Sequence, residues 1–299
     1  MKILITGGSG MLGQAIIHDP LFADDEFVIL SRRYGHYKLS ERVTYQNWNP
    51  YVLNGWQKVL DKTDVVINLA GENIGNGYWN SYKKDRILMS RVSAGRSLEK
   101  SILEMDNPPG VFFQASAVGF YGSRGNEMLD ENASNGEGFL ANVCKKWEAS
   151  TDQLETIGVR RMILRTGVVL SRESGIYPRL RLPIKLFIGG DLGNGKQYVP
   201  WLHVDDFPSI IHFLIHHEDA SGIYNLCSQP VTFSEFGKKL AKRYHRPYWL
   251  TVPDFALRLL LGEMSDLVLD SQRVVPARLT SLGYKYRFAE LNDAFQSFV

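Results

Sequence analysis

Cysteine is scarce: Cys144 and Cys227 are the only two in 299 residues, and their separation matches no metal-ligand spacing. A chain of this size needs no covalent staple, so both are expected as free thiols in a reducing compartment, and no metal site is expected. Charge of one sign is not in excess either. With 34 basic and 32 acidic residues and a net charge of +2, nothing favours a nucleic-acid or polyanionic partner. No apolar run approaches the roughly 20 residues that cross a bilayer. The chain enters its first strand at Lys2 with no secretory leader, so a soluble, cytoplasmic protein with no membrane partner is expected. Internal repeats, low-complexity tracts and long linkers are missing too. What remains, 44% hydrophobic and 22% charged residues, suits one large or two ordinary globular domains.

The most informative stretch is the first. Ile3 to Ile5 is a short, β-branched apolar run that leads into glycines at 7, 10 and 13, and a helical pattern follows through Met11, Leu12, Ala15 and Ile16. A strand that delivers a tight glycine turn onto a helix N-terminus lets a pyrophosphate lie against bare backbone. Gly7 can turn sharply, Gly10 leaves room for close approach, and Gly13 lets helix and strand pack closely, while the helix start offers unpaired N–H groups and positive dipole. Gly7, Ser9, Gly10, Met11, Leu12 and Gly13 are therefore candidate dinucleotide-binding residues. The spacing is G-x-x-G-x-x-G, and at this position in a chain the motif favours binding over a merely conformational turn.

The second strand, Glu26 to Leu30, ends in Ser31-Arg32-Arg33. An acid here would bond a ribose 2′-hydroxyl, whereas arginine accommodates a 2′-phosphate. No acid is present, so Ser31, Arg32 and Arg33 point to NADP(H) over NAD(H), the alternative being a solvated strand end. Val65 to Leu69 is apolar on both faces, as a strand inside a parallel sheet should be, and its exit, Asn68-Leu69-Ala70-Gly71, resembles the N-x-A-G signature of the short-chain dehydrogenases/reductases, which implies that Leu69, Ala70 and Gly71 border adenosine and ribose, the alternative being an ordinary turn. Trp79 to Leu103 reads as a long helix or a helix pair whose charges mostly form a wet face. Further on, Val111 to Ala117 reads as a strand, Gly138 to Glu148 as a helix and Arg161 to Leu170 as another strand, where Val168 and Val169 either pack near a nicotinamide or are plain core. His203 precedes Asp205 and Asp206, which can cap the next helix; it is either an acid–base group or a histidine held in a structural turn. Thr232 to Glu235 reads as a capping box, Met264 to Val275 as a helix, and Leu279 to Phe298 as an amphipathic close.

Taken together, Ile-Thr-Gly-Gly-Ser-Gly-Met-Leu-Gly, Val-Ile-Asn-Leu-Ala-Gly-Glu-Asn (66–73), Ala-Ser-Ala-Val-Gly-Phe-Tyr-Gly (115–122), Leu-Arg-Thr-Gly-Val-Val-Leu (164–170), Gly-Gly-Asp-Leu-Gly-Asn-Gly-Lys-Gln (189–197) and Trp-Leu-His-Val-Asp-Asp (201–206) resemble the "epimerase family protein" group. This group is an atypical, extended branch of the short-chain dehydrogenases/reductases. Leu261-Gly-Glu-Met and Val275-Pro-Ala-Arg-Leu resemble its short C-terminal domain, so the likeness spans essentially the whole chain. It implies an α/β fold, a Rossmann-type doubly wound parallel sheet with a smaller C-terminal substrate lobe. The NADP-binding domain would cover residues 1–170, with sheet contributions from about 200–228. Residues 171–299 would form mainly the lobe, including a family-specific segment at about 246–299. The likeness also implies that Ser90-Arg91 belongs to a recurrent pattern in which Arg91 reaches the cofactor phosphates, and that the protein is a homodimer.

In typical relatives a tyrosine and a lysine one helical turn apart move the proton while nicotinamide moves hydride. Aligned on Trp147-Glu148, those positions hold Leu140 and Cys144, and the serine position holds Ala117 with Ser116 one residue away. The relay is absent, so the catalytic residues are unassigned. Two functions stay open: an NADP(H)-dependent oxidoreductase or nucleotide-sugar epimerase with another proton donor, for which Tyr121, Ser116 and His203 are candidates, or a non-catalytic NADP(H)-binding regulator or redox sensor. The small-molecule substrate is unidentified.

Overall fold

Along the first strand, β1 (Lys2–Thr6), Ile3 and Ile5 face one side of a sheet and Leu4 the other, and all three are fully buried. The period of two therefore reads as a strand with apolar neighbours on both faces, which only a central parallel strand requires. The structure, a computed structural model, describes residues 1–32, 37–38, 40–52 and 55–298. After β1 come α1 (Met11–His18), β2 (Glu26–Ser31), β3 (Tyr37–Lys38), β4 (Val43–Asn47) and β5 (Val65–Asn68). The long helix α2 (Ser81–Leu103) leads to β6 (Val111–Ala117), β7 (Met128–Leu129), α3 (Phe139–Glu148), β8 (Arg160–Thr166) and β9 (Val168–Leu170). Helix α4 (Tyr177–Lys185), β10 (Tyr198–Val199), β11 (Trp201–His203), α5 (Asp206–His216) and β12 (Gly222–Leu226) follow. The chain closes through β13 (Val231–Thr232), α6 (Phe233–Arg243), α7 (Asp254–Leu261), α8 (Asp266–Leu269), β14 (Arg273–Val274), α9 (Ala277–Ser281) and α10 (Leu291–Ser297).

The main sheet has the order β12-β8-β6-β5-β1-β2-β4-β3, seven parallel strands with β3 added antiparallel at one edge. Helices α1 and α5 cover one face through Ile16, Phe207, Ile211 and Leu214. The other face is covered by α2 through Ala94, Leu98 and Ile102, with Trp48, Trp56 and Leu154 alongside. This is the doubly wound Rossmann architecture, and its strand order reverses between β1 and β5, where a crevice opens beyond the strand ends. A row of buried polar side chains fixes that end of the sheet: Thr6 Oγ1 donates to Asn68 Oδ1 (2.6 Å), and Asn68 Nδ2 to Gln114 Oε1 (3.0 Å).

The C-terminal region packs on the sheet. Helices α4, α6 and α10 enclose Tyr177, Trp201, Phe236, Leu240 and Phe295 in a separate core. Arg278 of α9 reaches β12 and donates to the carbonyls of Ser221 (2.7 Å) and Ile223 (2.9 Å).

One expected helix differs, and the amphipathic close takes a broken form. Instead of a helix over 264–275, the chain turns through a 3₁₀ segment and α8, then runs extended, because tertiary bonds take its backbone: Ser271 N–H donates to Ser123 Oγ, and Gln272 N–H to the Tyr198 carbonyl. The 279–298 close is two short helices, α9 and α10. Gly283, at φ +82°, lies between them, and the N–H groups of Arg287 and Phe288 are drawn to the Asp206 carboxylate. The capping residue of α5 also differs: neither carboxylate bonds the helix start, and Asp206 ties down this later segment instead.

Candidate functional site

The glycine turn sits against the exit of β5. Gly7 has φ +68°, and a Cβ there would lie 2.7 Å from the Leu69 carbonyl oxygen, while one on Gly13 would lie 2.5 Å from Gly8 Cα. Only bare backbone lets the turn, α1 and β5 approach this closely. Ala70 N–H donates to Thr6 Oγ1 (3.1 Å), pinning the β5 exit to β1. No side chain caps the N-terminus of α1 and no acid lies in its first turn, so its N–H groups and dipole are left to the crevice.

A cavity of about 690 Å³ opens there. Gly7, Ser9 and Gly10 form its base, Leu30, Ser31 and Arg32 one wall, and Leu69, Ala70 and Gly71 the other. The structure thus brings eight of the expected cofactor residues onto one cavity; Arg33 lies outside the described residues. Met11, Leu12 and Gly13 form the first turn of α1 behind it. Val169 pairs with Leu202 of β11, and it is Val168 that lines the neighbouring cavity.

Arg91 is placed behind the wall. Its guanidinium donates to the carbonyls of Glu72 (3.1 Å) and Ile87 (2.9 Å), lies over the Trp147 ring, and would meet a Cβ on Gly71 at 3.0 Å. Burial pulls its pKa down to about 10. Arg91 therefore supports the loop that forms the wall and does not line the cavity.

Residues that sequence reasoning missed complete the lining: Trp48, Pro50 and Tyr51 after β4, and Tyr82, Asp85, Arg86 and Met89 of α2. The helical spacing 82, 85, 86, 89 is that of one face, a usable signal that its charges disguised as a wet surface. Glu72 accepts from Lys83 (2.9 Å) and Arg86 (3.0 Å). The hydrogen bond from Lys83 is the main influence holding its carboxyl below the ordinary range.

The three proton-donor candidates are otherwise engaged. Ser116 Oγ donates to Glu148 Oε1 (2.6 Å); Arg165 binds both oxygens of that carboxylate at 2.9 Å and donates to Tyr121 Oη (3.1 Å), which in turn donates to Asn225 Oδ1 (2.7 Å). This chain of bonds is buried, and burial pushes the Tyr121 phenol up to about 12. Neither Ser116 nor Tyr121 lines the adjoining cavity.

His203 is 1% exposed and stacked between Phe288 and Phe298. Its Nδ1 accepts from Asp205 N–H (3.1 Å), so the proton resides on Nε2, which faces Ser297 Oγ at 2.9 Å. The 3.7 Å approach to the Asp205 carboxylate is thus not an ion pair of a charged ring. Burial, aided by Arg287, lowers its pKa from 6.5 to about 4. Because the unfolded chain binds this proton first, stability is full above the unfolded value and falls as pH drops from about 6.5 towards 4. Urea titrations across that window are expected to show the slope in the wild type and a smaller one in His203→Gln; identical slopes would remove His203 as its source.

A second cavity, about 270 Å³, lies beyond the ends of β6 and β8. Leu140 and Cys144, the positions where the tyrosine and lysine are missing, line it. Burial raises the Cys144 thiol to about 11, so it is not a ready nucleophile. Across from them stand Asp266 and Asp270; burial, then the charge of Asp266, raises the Asp270 carboxyl to about 6. Sequence reasoning did not single out this pair, having placed it in a continuous helix.

No group of His, Cys, Asp and Glu able to hold a metal occurs among the described residues, and no helix among them is long and apolar enough to cross a membrane. The profile of the NAD dependent epimerase/dehydratase family matches residues 3–227, and a domain of unknown function, DUF1731, matches residues 252–298. An epimerase family protein of Staphylococcus aureus is 35% identical over 303 residues, covering 100% of this chain and 99% of its own. The crystal structure of human epimerase family protein SDR39U1 with NADPH is similar at TM-score 0.88 and 27% identity, covering 100% of this chain and 99% of that one. A nucleoside-diphosphate sugar epimerase from Corynebacterium glutamicum is similar at TM-score 0.77 and 31% identity, over 98% of this chain and 57% of that one.

Proposed function

Since the chain belongs to the NAD dependent epimerase/dehydratase family, we propose that it binds NADP(H) in the crevice at the β1–β5 reversal and acts there as an oxidoreductase. The observation that carries this reading is the bare-backbone cradle of Gly7, Gly10 and Gly13, set against an uncapped helix start, with Arg32 and no acid at the end of β2. Those residues fit a dinucleotide: the glycine turn and α1 would hold the pyrophosphate, Leu69 to Gly71 the adenosine side, and Arg32 with Arg33 the 2′-phosphate. The human relative crystallised with NADPH supports the phosphorylated coenzyme. When bound, the nicotinamide supplies reversible hydride transfer to or from a carbonyl carbon. This chain's contribution is to orient both partners and to shape the second cavity beside that end of the sheet.

Arg32→Ala/Arg33→Ala is expected to weaken NADPH by roughly 10–100-fold, the worth of a charge-assisted bond, and NADH by much less. Calorimetric titration of both coenzymes checks this; equal losses would mean that the arginines do not read the 2′-phosphate.

A regulator or redox sensor remains the second reading, favoured by one observation: Leu140 and Cys144 stand at the relay positions, and Ser116, Tyr121 and His203 are tied into the protein. Oxidation of NADPH in the presence of any of a panel of carbonyl compounds would select the enzyme.

A further inference from the structure

Resting on that coenzyme reading, we propose that the second cavity receives a compact, predominantly apolar carbonyl or alcohol compound, uncharged or cationic, and excludes nucleoside diphosphate sugars. Three observations carry this. The cavity holds about 270 Å³, just under the roughly 300–1,000 Å³ usual for small-molecule sites. Its lining is largely apolar, with Val118 and Leu140, Ile176 and Leu180 at and in α4, and Phe236 and Leu267 among it. Finally, no Lys, Arg or His occurs among its described lining residues, whereas Asp266 and Asp270 both do.

A diphosphate needs guanidinium, ammonium or clustered N–H donors to replace its hydration. The nearby arginines do not line it: Arg165 is bound to Glu148 and Tyr121, Arg179 to Gly75 and Asn76, and Arg91 to the carbonyls of Glu72 and Ile87, while Arg273 lies over the Tyr198 ring and Arg258 approaches the half-exposed Asp266 at 3.5 Å, leaving Asp270 as the inner carboxylate. Arg124 lines a third cavity and is paired with Glu127; Asp266 and Asp270 border both cavities, so an anion passing between them meets two carboxylates. A neutral ligand meets no such barrier, and Gln272, Thr166, Tyr198 and Asp270 offer its oxygen a polar partner on the wall. Asp266, Asp270 and Gln272 all come from the C-terminal region, which thereby sets the selectivity of a cavity whose floor the nucleotide-binding half supplies.

The test separates charge from size. Benzaldehyde and 4-carboxybenzaldehyde differ by one carboxylate, and UDP-glucose supplies the bulky diphosphate. Each is titrated calorimetrically into the full-length protein, with and without saturating NADPH. Benzaldehyde is expected to bind at least about tenfold more tightly than its carboxylated analogue, and UDP-glucose to give no saturable signal. In Asp266→Asn/Asp270→Asn the aldehyde gap is expected to shrink severalfold; should that variant not fold, Asp270→Asn alone is expected to narrow it. Saturable binding of UDP-glucose, equal affinity for the two aldehydes, or no aldehyde binding would each overturn the proposal. Failure of the coenzyme reading appears separately, in the NADPH isotherm.

Discussion

Glu148→Ala is expected to lower the stability of the fold by about 3–5 kcal/mol, the usual consequence of leaving one member of a buried ion pair without its partner. The carboxylate accepts from Ser116 and from two nitrogens of Arg165, whose side chain is only 3% exposed and also stacks on Phe120. Removing it leaves a buried guanidinium among Phe120, Tyr121 and the sheet without the two oxygens that paired it. Equilibrium urea denaturation reads the loss. Arg165→Met added to Glu148→Leu is expected to recover much of it, because an apolar pair of similar volume avoids desolvating either ion. A Glu148→Ala protein as stable as the wild type, or a double variant no better than the single one, would show that these bonds do not anchor α3 to β8.

Gly13→Ala is expected to weaken NADPH binding at least about a hundredfold, with a smaller loss of folding stability, up to about 1–3 kcal/mol, from overpacking. A Cβ at residue 13 would lie 2.5 Å from Gly8 Cα and 2.7 Å from Gly8 O. Backbone cannot step aside as a flexible side chain can, so α1 and the turn must separate. Two N–H bonds to a phosphate, at about 1.5–3 kcal/mol each, account for a loss of that size. Alanine's higher helix propensity, about 1 kcal/mol over glycine, offsets part of the strain in the fold. Gly110→Ala is the control, since nothing lies within 4 Å of its added carbon. Calorimetry that finds both variants binding NADPH alike would refute the packing argument.

The elements legible in the sequence are those whose conformation is set locally. β1, the glycine turn and α1 are specified by an apolar run, three glycines and a helical repeat, and β5 by a stretch apolar on both faces. In the functional region, Gly7, Gly10, Arg32 and Ala70 could be marked because a dinucleotide cradle consists of backbone shape and strand ends. The remainder depends on distant partners. Residues 271–275 run extended because Ser123, Tyr198 and Leu129 take the N–H groups of Ser271, Gln272 and Val275, and nothing within the segment announces that. His203 has the look of an acid–base group beside two aspartates; the aromatic rings that enclose it belong to Phe288 and Phe298, 85 and 95 residues later. Glu148 served the sequence only as a marker of register beside Trp147, and its role as an anchor follows from Ser116 and Arg165 on two strands of the sheet.

The reach of Arg278 onto β12 bears on how the chain can be shortened. β12 is the last strand on its side of the sheet, and Arg278 occupies the carbonyls of Ser221 and Ile223 beside it. A chain ending before the C-terminal region would present an open strand margin to its neighbours, the condition under which sheets join end to end into aggregates. The nucleotide-binding half is consequently expected to precipitate when expressed alone, so the region that borders the second cavity also keeps the molecule from polymerising.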